Sequence, residues 1–168
     1  MLLETERLIL TELTPDMAGV LHKNSLDEDN RRFVPDEVFE TEEEALDTIR
    51  FLMSQYQGKD GPLVYALLTK NGNDNIGYIQ LCPIEGGWEI GYHIAKQYTG
   101  NGYATEAALH FLPYMAEKKH LSEIFGICLE DNIASVHVLK KCGFRTVFCG
   151  TDQYQGEPRK IVRTVWTL

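Results

Sequence analysis

Eight consecutive residues, Gln97, Tyr98, Thr99, Gly100, Asn101, Gly102, Tyr103 and Ala104, run off a predicted strand into a predicted helix. Their make-up is that of an anion site. Two glycines two apart let the backbone approach a ligand with no side chain between them, and the following helix adds free N–H groups and the positive end of its dipole. A pyrophosphate fits that description. A phosphate loop of the nucleoside-triphosphatase kind would continue Gly-Lys and then Ser or Thr, whereas Tyr103 and Ala104 follow Gly102. A dinucleotide fingerprint would place a third glycine where Thr105 stands. Neither applies, and a tight strand-to-helix turn is the competing reading of the two glycines.

A second segment narrows the chemistry. From Asn132 the chain reads Asn132, Ile133, Ala134, Ser135, Val136, His137, Val138, Leu139, Lys140, Lys141, Cys142, Gly143, Phe144. Asn132 suits a helix cap, Val136 and Leu139 give an apolar face, and Gly143 stands where a left-handed C-terminal cap belongs. The loop pattern Gln-x-x-Gly-x-Gly and this Asn-x-x-(Ala or Ser)-x-x-x-(Tyr or Leu)-x-x-x-Gly-Phe pattern together resemble the two signatures of the GNAT acetyltransferase superfamily. The runs Glu4 to Leu10 and Trp88 to Tyr92 are similar to its ribosomal-protein N-terminal acetyltransferase-like (RimJ/RimL-like) branch. The resemblance spans residues 4 to 144, nearly the whole chain.

That resemblance implies acetyl-CoA as co-substrate and an amine as acceptor. Backbone amides from Tyr98 to Ala104 would hold the pyrophosphate, with Gln97 supporting the loop. Main chain around Ile94 would pair with the pantetheine arm and the acetyl carbonyl. Asn132 would bond the arm, a role compatible with capping because its side chain carries both a donor and an acceptor. Many members of the superfamily protonate the departing thiolate with a tyrosine where this chain has Leu139. Ser135, one helical turn earlier on the same face, is either the replacement proton donor or a small spacer beside the cofactor. His137, about 200° around the helix from Ser135, is expected on the surface.

Glu89 is the candidate for managing the amine proton. It opens a strand and shares a face with Gly91 and His93 by two-residue alternation, although pairing with a structural partner explains a carboxylate there equally well. His93 is read as a packed residue and Glu106 as a complement to the helix dipole. The acceptor, a protein N-terminus or a small-molecule amine, is expected between the polar segment 27 to 36 and a hairpin tip at 153 to 158. Phe33, Arg31, Arg32 and Tyr154 lie in those segments, with Phe33 and Tyr154 as the candidate contacts. No trio of residues argues for a covalent nucleophile, so direct attack in a ternary complex is the simpler scheme. The missing tyrosine keeps open a non-catalytic acyl-CoA sensor or interaction module.

The bulk of the sequence suits a single acetyltransferase domain over residues 1–168, a length that buries roughly 70% of the unfolded surface. A formal charge of −9 and a pI near 5.0 disfavour a nucleic-acid partner and are compatible with a cationic amine. Cys82, Cys128, Cys142 and Cys149 are scattered without a C-x-x-C pair, so no metal site is expected. No basic leader or apolar run of ~20 residues is present, which points to a cytoplasmic protein without membrane contact. Monomer and homodimer both remain open.

Positioning these groups requires an α+β fold. A strand is predicted over residues 6 to 13, a helix from Thr14-Pro15-Asp16, and a second helix from Thr41 with Glu42 to Glu44 in its first turn and Ala45, Ile49 and Leu52 on one face. Strands follow at 63 to 70, 75 to 82 and 87 to 95, then the glycine-loop helix, in which Pro113 should cause a kink or an early end. A strand at 123 to 129, the Asn132 helix and a hairpin near 144 to 151 and 159 to 167 complete the order. The resemblance assembles them into a mixed, mostly antiparallel GNAT-type sheet with helices on both faces and a splayed central strand pair.

Overall fold

A computed structural model describes residues 1–58 and 60–168. Its strands are β1 (Leu3–Glu4), β2 (Leu8–Glu12), β3 (Leu63–Thr69), β4 (Asn75–Ile84), β5 (Gly87–Ile94), β6 (Glu123–Leu129), β7 (Arg145–Tyr154) and β8 (Glu157–Thr167). Its helices are α1 (Ala18–Ser25), α2 (Glu28–Phe33), α3 (Glu42–Gln55), α4 (Tyr103–Lys119) and α5 (Ile133–Lys141). The strands form one sheet in the order β1-β2-β3-β4-β5-β6-β8-β7. Neighbours are antiparallel except β5 and β6, which run parallel and pair at Glu89↔Phe125. Beyond that point the two strands part, leaving the β6-facing edge of β5 from Gly91 to Ile94 without a strand partner among the described residues.

Both faces of the sheet are covered. Along β3, Leu63, Tyr65 and Leu67 pack with Phe111, Leu112 and Met115 of α4, while Val64 and Ala66 pack with Leu21 of α1 and Ala45 and Ile49 of α3. This two-sided burial explains why β3 reads as a continuous apolar run. Helix α3 starts in a capping box, with Thr41 accepting from the Glu44 amide and the Glu44 side chain accepting from Thr41. Helix α5 lies close on β6, because a Cβ at Gly126 would come within 2.5 Å of Leu139 Cδ2.

Three expectations change. The polar segment 27 to 36 is largely helix α2, capped by Asp27, whose Oδ1 accepts from the Asn30 amide at 2.9 Å. Helix α4 neither ends nor shortens at Pro113 but continues to Lys119. A proline there costs about 3 kcal/mol, and the fully buried Phe111, Leu112 and Met115 around it each contribute on the order of 1.5–3 kcal/mol through burial. The last hairpin is longer than expected, with a turn at Gln155 and Gly156, whose φ values of 53° and 80° suit a mirror-image turn. Tyr154 therefore ends strand β7 instead of lying in a loop.

Candidate active site

The glycine loop has the expected backbone. Gly100 and Gly102 both sit at φ 80°, a conformation that side chains with a Cβ rarely adopt, and no atom lies within 4 Å of where a Cβ at Gly100 would stand. The amides of Tyr98 and Thr99 donate back to the Ala95 and Lys96 carbonyls. Those of Gly100 to Ala104 find no backbone acceptor among the described residues, so they stand free at the start of the 17-residue helix α4. The loop is tied by Asn101, whose Nδ2 donates to the Tyr98 and Thr99 carbonyls at 3.0 and 3.2 Å. Gln97 does not support it: the side chain is exposed and has no hydrogen-bond partner among the described residues.

A brace from the N-terminus completes the loop. Arg7 donates from Nη1 to the Asn101 carbonyl at 3.0 Å, and its guanidinium lies 4.5 Å over the Tyr103 ring. Glu106 accepts from Thr5 Oγ1, the Arg7 amide and Arg7 Nε at 2.5 to 2.8 Å. Partial burial opposes its charge, yet these bonds hold the carboxyl below its ordinary range. Its role is thus more specific than dipole complementarity.

From the loop, a cleft of about 570 Å³ runs past Ile94 to Asn132 and Ser135, with α2 along one wall. Asn132 Oδ1 accepts from the Ser135 amide at 3.2 Å and caps α5. The Ser135 hydroxyl lies 2.9 Å from the hydroxyl of Tyr92, a residue of β5 on the face opposite Glu89. Burial pushes the Tyr92 phenol well up, keeping it protonated at neutral pH. Strand alternation gave no hint of this pair, because it depends on how α5 docks over the sheet. Leu139 is buried against Gly126, and His137 is exposed but borders the mouth of the cleft, contrary to the expectation that it faces away.

A second chamber of about 460 Å³ joins the first, sharing Phe33, Val34, Tyr92, Asn132 and Ser135 with it. Three carboxylates, Asp36, Glu37 and Glu89, line it, and among the described residues that line it there is no Lys, Arg or His. Burial raises the Glu89 carboxyl to about 7, against the Ile127 amide that donates to it, with Glu37 pushing further upward and Arg163 pulling back. Glu37 is also raised by burial although Tyr78 and Gln80 donate to it. Nothing in the sequence distinguished Glu37 from its acidic neighbours. Phe33 and Tyr154 line the chamber as expected. Arg31 and Arg32 do not, since they pair outside with Glu40 and Asp131. His93 packs on Tyr78 with Nε2 3.4 Å from Asp27 Oδ2, and burial lowers its pKa despite that carboxylate.

Free amides on a left-handed glycine loop, an open strand edge and a 3% exposed Asn30 whose Nδ2 has no partner among the described residues fit a long ligand with an anionic end and amide groups, as coenzyme A has. Comparisons with known proteins agree. Residues 7–145 match the acetyltransferase (GNAT) domain family. The uncharacterized N-acetyltransferase YoaA of Bacillus subtilis (strain 168) is 31% identical over 146 residues, 86% of this chain and 82% of that protein. A GNAT-family acetyltransferase from Bacillus anthracis superposes with a TM-score of 0.85 at 24% identity, covering 99% of this chain and 98% of that one. RimL, a ribosomal L7/L12 α-N-protein acetyltransferase solved with coenzyme A, gives 0.84 at 18% identity, covering 99% and 97%. With a family match over most of its length and the corresponding fold, the chain belongs to the GNAT family of acetyl-CoA-dependent acetyltransferases.

Proposed function

We propose that residues 1–168 act as one domain that transfers an acetyl group to a primary amine by direct attack in a ternary complex. The observation that carries this reading is the Tyr92–Ser135 hydroxyl pair at the junction of the two cavities. Acetyl-CoA supplies the acetyl thioester. The amides of Gly100 to Ala104 hold its pyrophosphate, the open edge of β5 at Ile94 aligns its arm and polarises the acetyl carbonyl, and Asn132 bonds the arm from α5. Glu89, with its carboxyl near 7, holds the incoming ammonium and takes its proton. The neutral amine attacks the carbonyl carbon, and the adduct's nitrogen sheds its second proton to solvent. The C–S bond breaks as Ser135 Oγ–H donates to the departing thiolate, Tyr92 donates to Ser135 Oγ and solvent returns a proton to Tyr92. The phenol that position 139 lacks is thereby supplied from strand β5.

An acceptor chamber with three carboxylates and, among the described residues, no cationic side chain favours an amine, either a protein N-terminus or a small molecule. RimL, named for an α-N-protein substrate, represents the first class.

Two measurements test this. Acetyl-CoA at 100 times its dissociation constant should stabilise the protein by about 2.7 kcal/mol, read as a rise in Tm. A panel of small amines and N-terminal peptides should contain one that releases free thiol. A shift without thiol release from any acceptor would identify a sensor, and no shift at all would remove the cofactor site.

A further inference from the structure

Helix α2 is short and polar, Glu28-Asp29-Asn30-Arg31-Arg32-Phe33, and the one residue it buries is an asparagine. Short surface helices ordinarily turn an apolar residue inward, because an unmet polar group in that position costs stability. Asn30 is 3% exposed and lines the loop-side cleft, yet its Nδ2 has no acceptor among the described residues. Its backbone needs nothing more: the amide donates to Asp27 Oδ1 and the carbonyl accepts from the Val34 amide, both at 2.9 Å. The side chain alone is left over.

The setting of α2 places this residue over the cleft. Asp29 pairs with Lys96, which begins the turn into the glycine loop. Arg32 pairs with Asp131, next to the cap of α5. Asp27 reaches His93 on β5. Helix α2 is therefore a strap fastened to both banks of the cleft and to its floor, with Asn30 on its underside. Asn30 borders the cleft that leads from the loop but not the acceptor chamber. A ligand that reaches from the loop to Ser135 passes beneath it.

We infer that Asn30 Nδ2 donates a hydrogen bond to an amide carbonyl of the acyl-pantetheine arm, gripping from α2 the arm that Asn132 approaches from α5. The inference rests on the coenzyme reading above. An unpaired N–H requires an acceptor, and the arm of coenzyme A carries amide carbonyls, whereas an ammonium in that position would present a second donor. The strap's tethers to Lys96 and Asp131 are exposed and hold it weakly, which allows it to lift as the arm enters. Asn30 is in these terms a binding residue that also positions the thioester.

Calorimetry with two ligands tests this on the full chain. Coenzyme A has the arm; adenosine 3′,5′-bisphosphate offers phosphates to the same part of the protein without it. Asn30→Leu keeps the size and removes the donor, and Asn30→Asp keeps the shape and turns a donor into an acceptor. Both variants should bind coenzyme A about tenfold more weakly, the usual consequence of losing one buried hydrogen bond to a ligand. Binding of the bisphosphate should stay within twofold of wild type. The Tm of ligand-free Asn30→Leu should not fall, since no intramolecular bond is lost. Unchanged affinity for coenzyme A in Asn30→Leu overturns the inference, as does an equal loss for both ligands or a lowered ligand-free Tm, which would mark Asn30 as structural. Failure of the wild type to bind coenzyme A would instead overturn the coenzyme reading itself.

Discussion

The loop-side cleft and the acceptor chamber meet at Tyr92 and Ser135 but are built from different materials. The cleft presents main chain: free amides of residues 100 to 104 and the open edge of β5. The chamber presents side chains from separate segments: Asp36 and Glu37 after α2, Glu89 on β5, and Tyr154 at the end of β7. Where main chain does the holding, most substitutions are tolerated except those that change the backbone, which leaves the cleft sensitive at its glycines and at the few side chains, such as Asn30 and Asn132, that line it. A side-chain site can be remade one residue at a time. Such a division lets one fold keep its donor end while its acceptor end is rebuilt.

The sharpest way to test that division is at the shared wall. Ser135→Ala should lower kcat by roughly 10²–10⁴-fold, the usual contribution of a positioned acid or base, with little change in affinity for acetyl-CoA. Tyr92→Phe should lose part of the same factor, and the double variant should be no worse than Ser135→Ala, since the two hydroxyls act in series. Additive losses, read from kcat of the three variants, would separate them. Near-normal turnover in Ser135→Ala would reduce that serine to a spacer.

Glu89 tests the chamber through pH. Only the ionised carboxylate accepts a proton, so the wild-type rate should rise through about pH 7. Glu89→Gln should lose about 10²-fold above that pH, much less near pH 5.5, and nothing in coenzyme affinity. Stability should respond with the opposite sign. The folded-state value of about 7 lies above the ordinary 4.5, so the stability associated with the protonated group is lost as pH rises between them. Glu89→Gln, neutral throughout, should then gain roughly 1–3 kcal/mol over wild type at pH 8 and much less at pH 4, as measured by urea unfolding. A flat difference across pH would return Glu89 to an ion-pair role.

Smaller effects probe the cleft. Gly102→Val places a branched side chain at φ 80° and should weaken acetyl-CoA binding roughly tenfold or more, through strain of about 1–3 kcal/mol in the loop, while the fold persists. Arg32→Ala removes an exposed tether of α2 and should change unfolding free energy by less than about 1 kcal/mol. A larger loss would show that the strap carries more of the fold than its exposed contacts suggest.

The same division explains what could be read from the sequence. The loop glycines, the Thr41 cap, the β3–β5 meander and strand β6, expected at 123 to 129 and found there, all depend on local patterns. Helix α2 reads in the sequence only as a polar segment because its inward residue is Asn30, so no apolar stripe announces it. Tyr92 was hidden for another reason. Alternation along β5 tells which residues share a face with Glu89, but not that Ser135, 43 residues after Tyr92, comes to the opposite face on a helix. Gln97 and Asn101 exchanged the supporting role because the loop's curl, and not its sequence pattern, decides which amide side chain reaches the carbonyls.

The brace from Arg7 to the Asn101 carbonyl joins residues 94 positions apart. A contact of that span forms only after the intervening chain has been drawn together, so loop-closure entropy delays it relative to the hairpins of the sheet. The glycine loop is thus braced by a residue made long before it, and that residue must wait for partners made much later. Pulse-labelled hydrogen exchange during refolding should find the Gly100 to Ala104 amides protected by ligand only once the β1–β2 segment has docked. A variant without the Arg7 guanidinium should still build its sheet and yet arrive at a glycine loop that never sets.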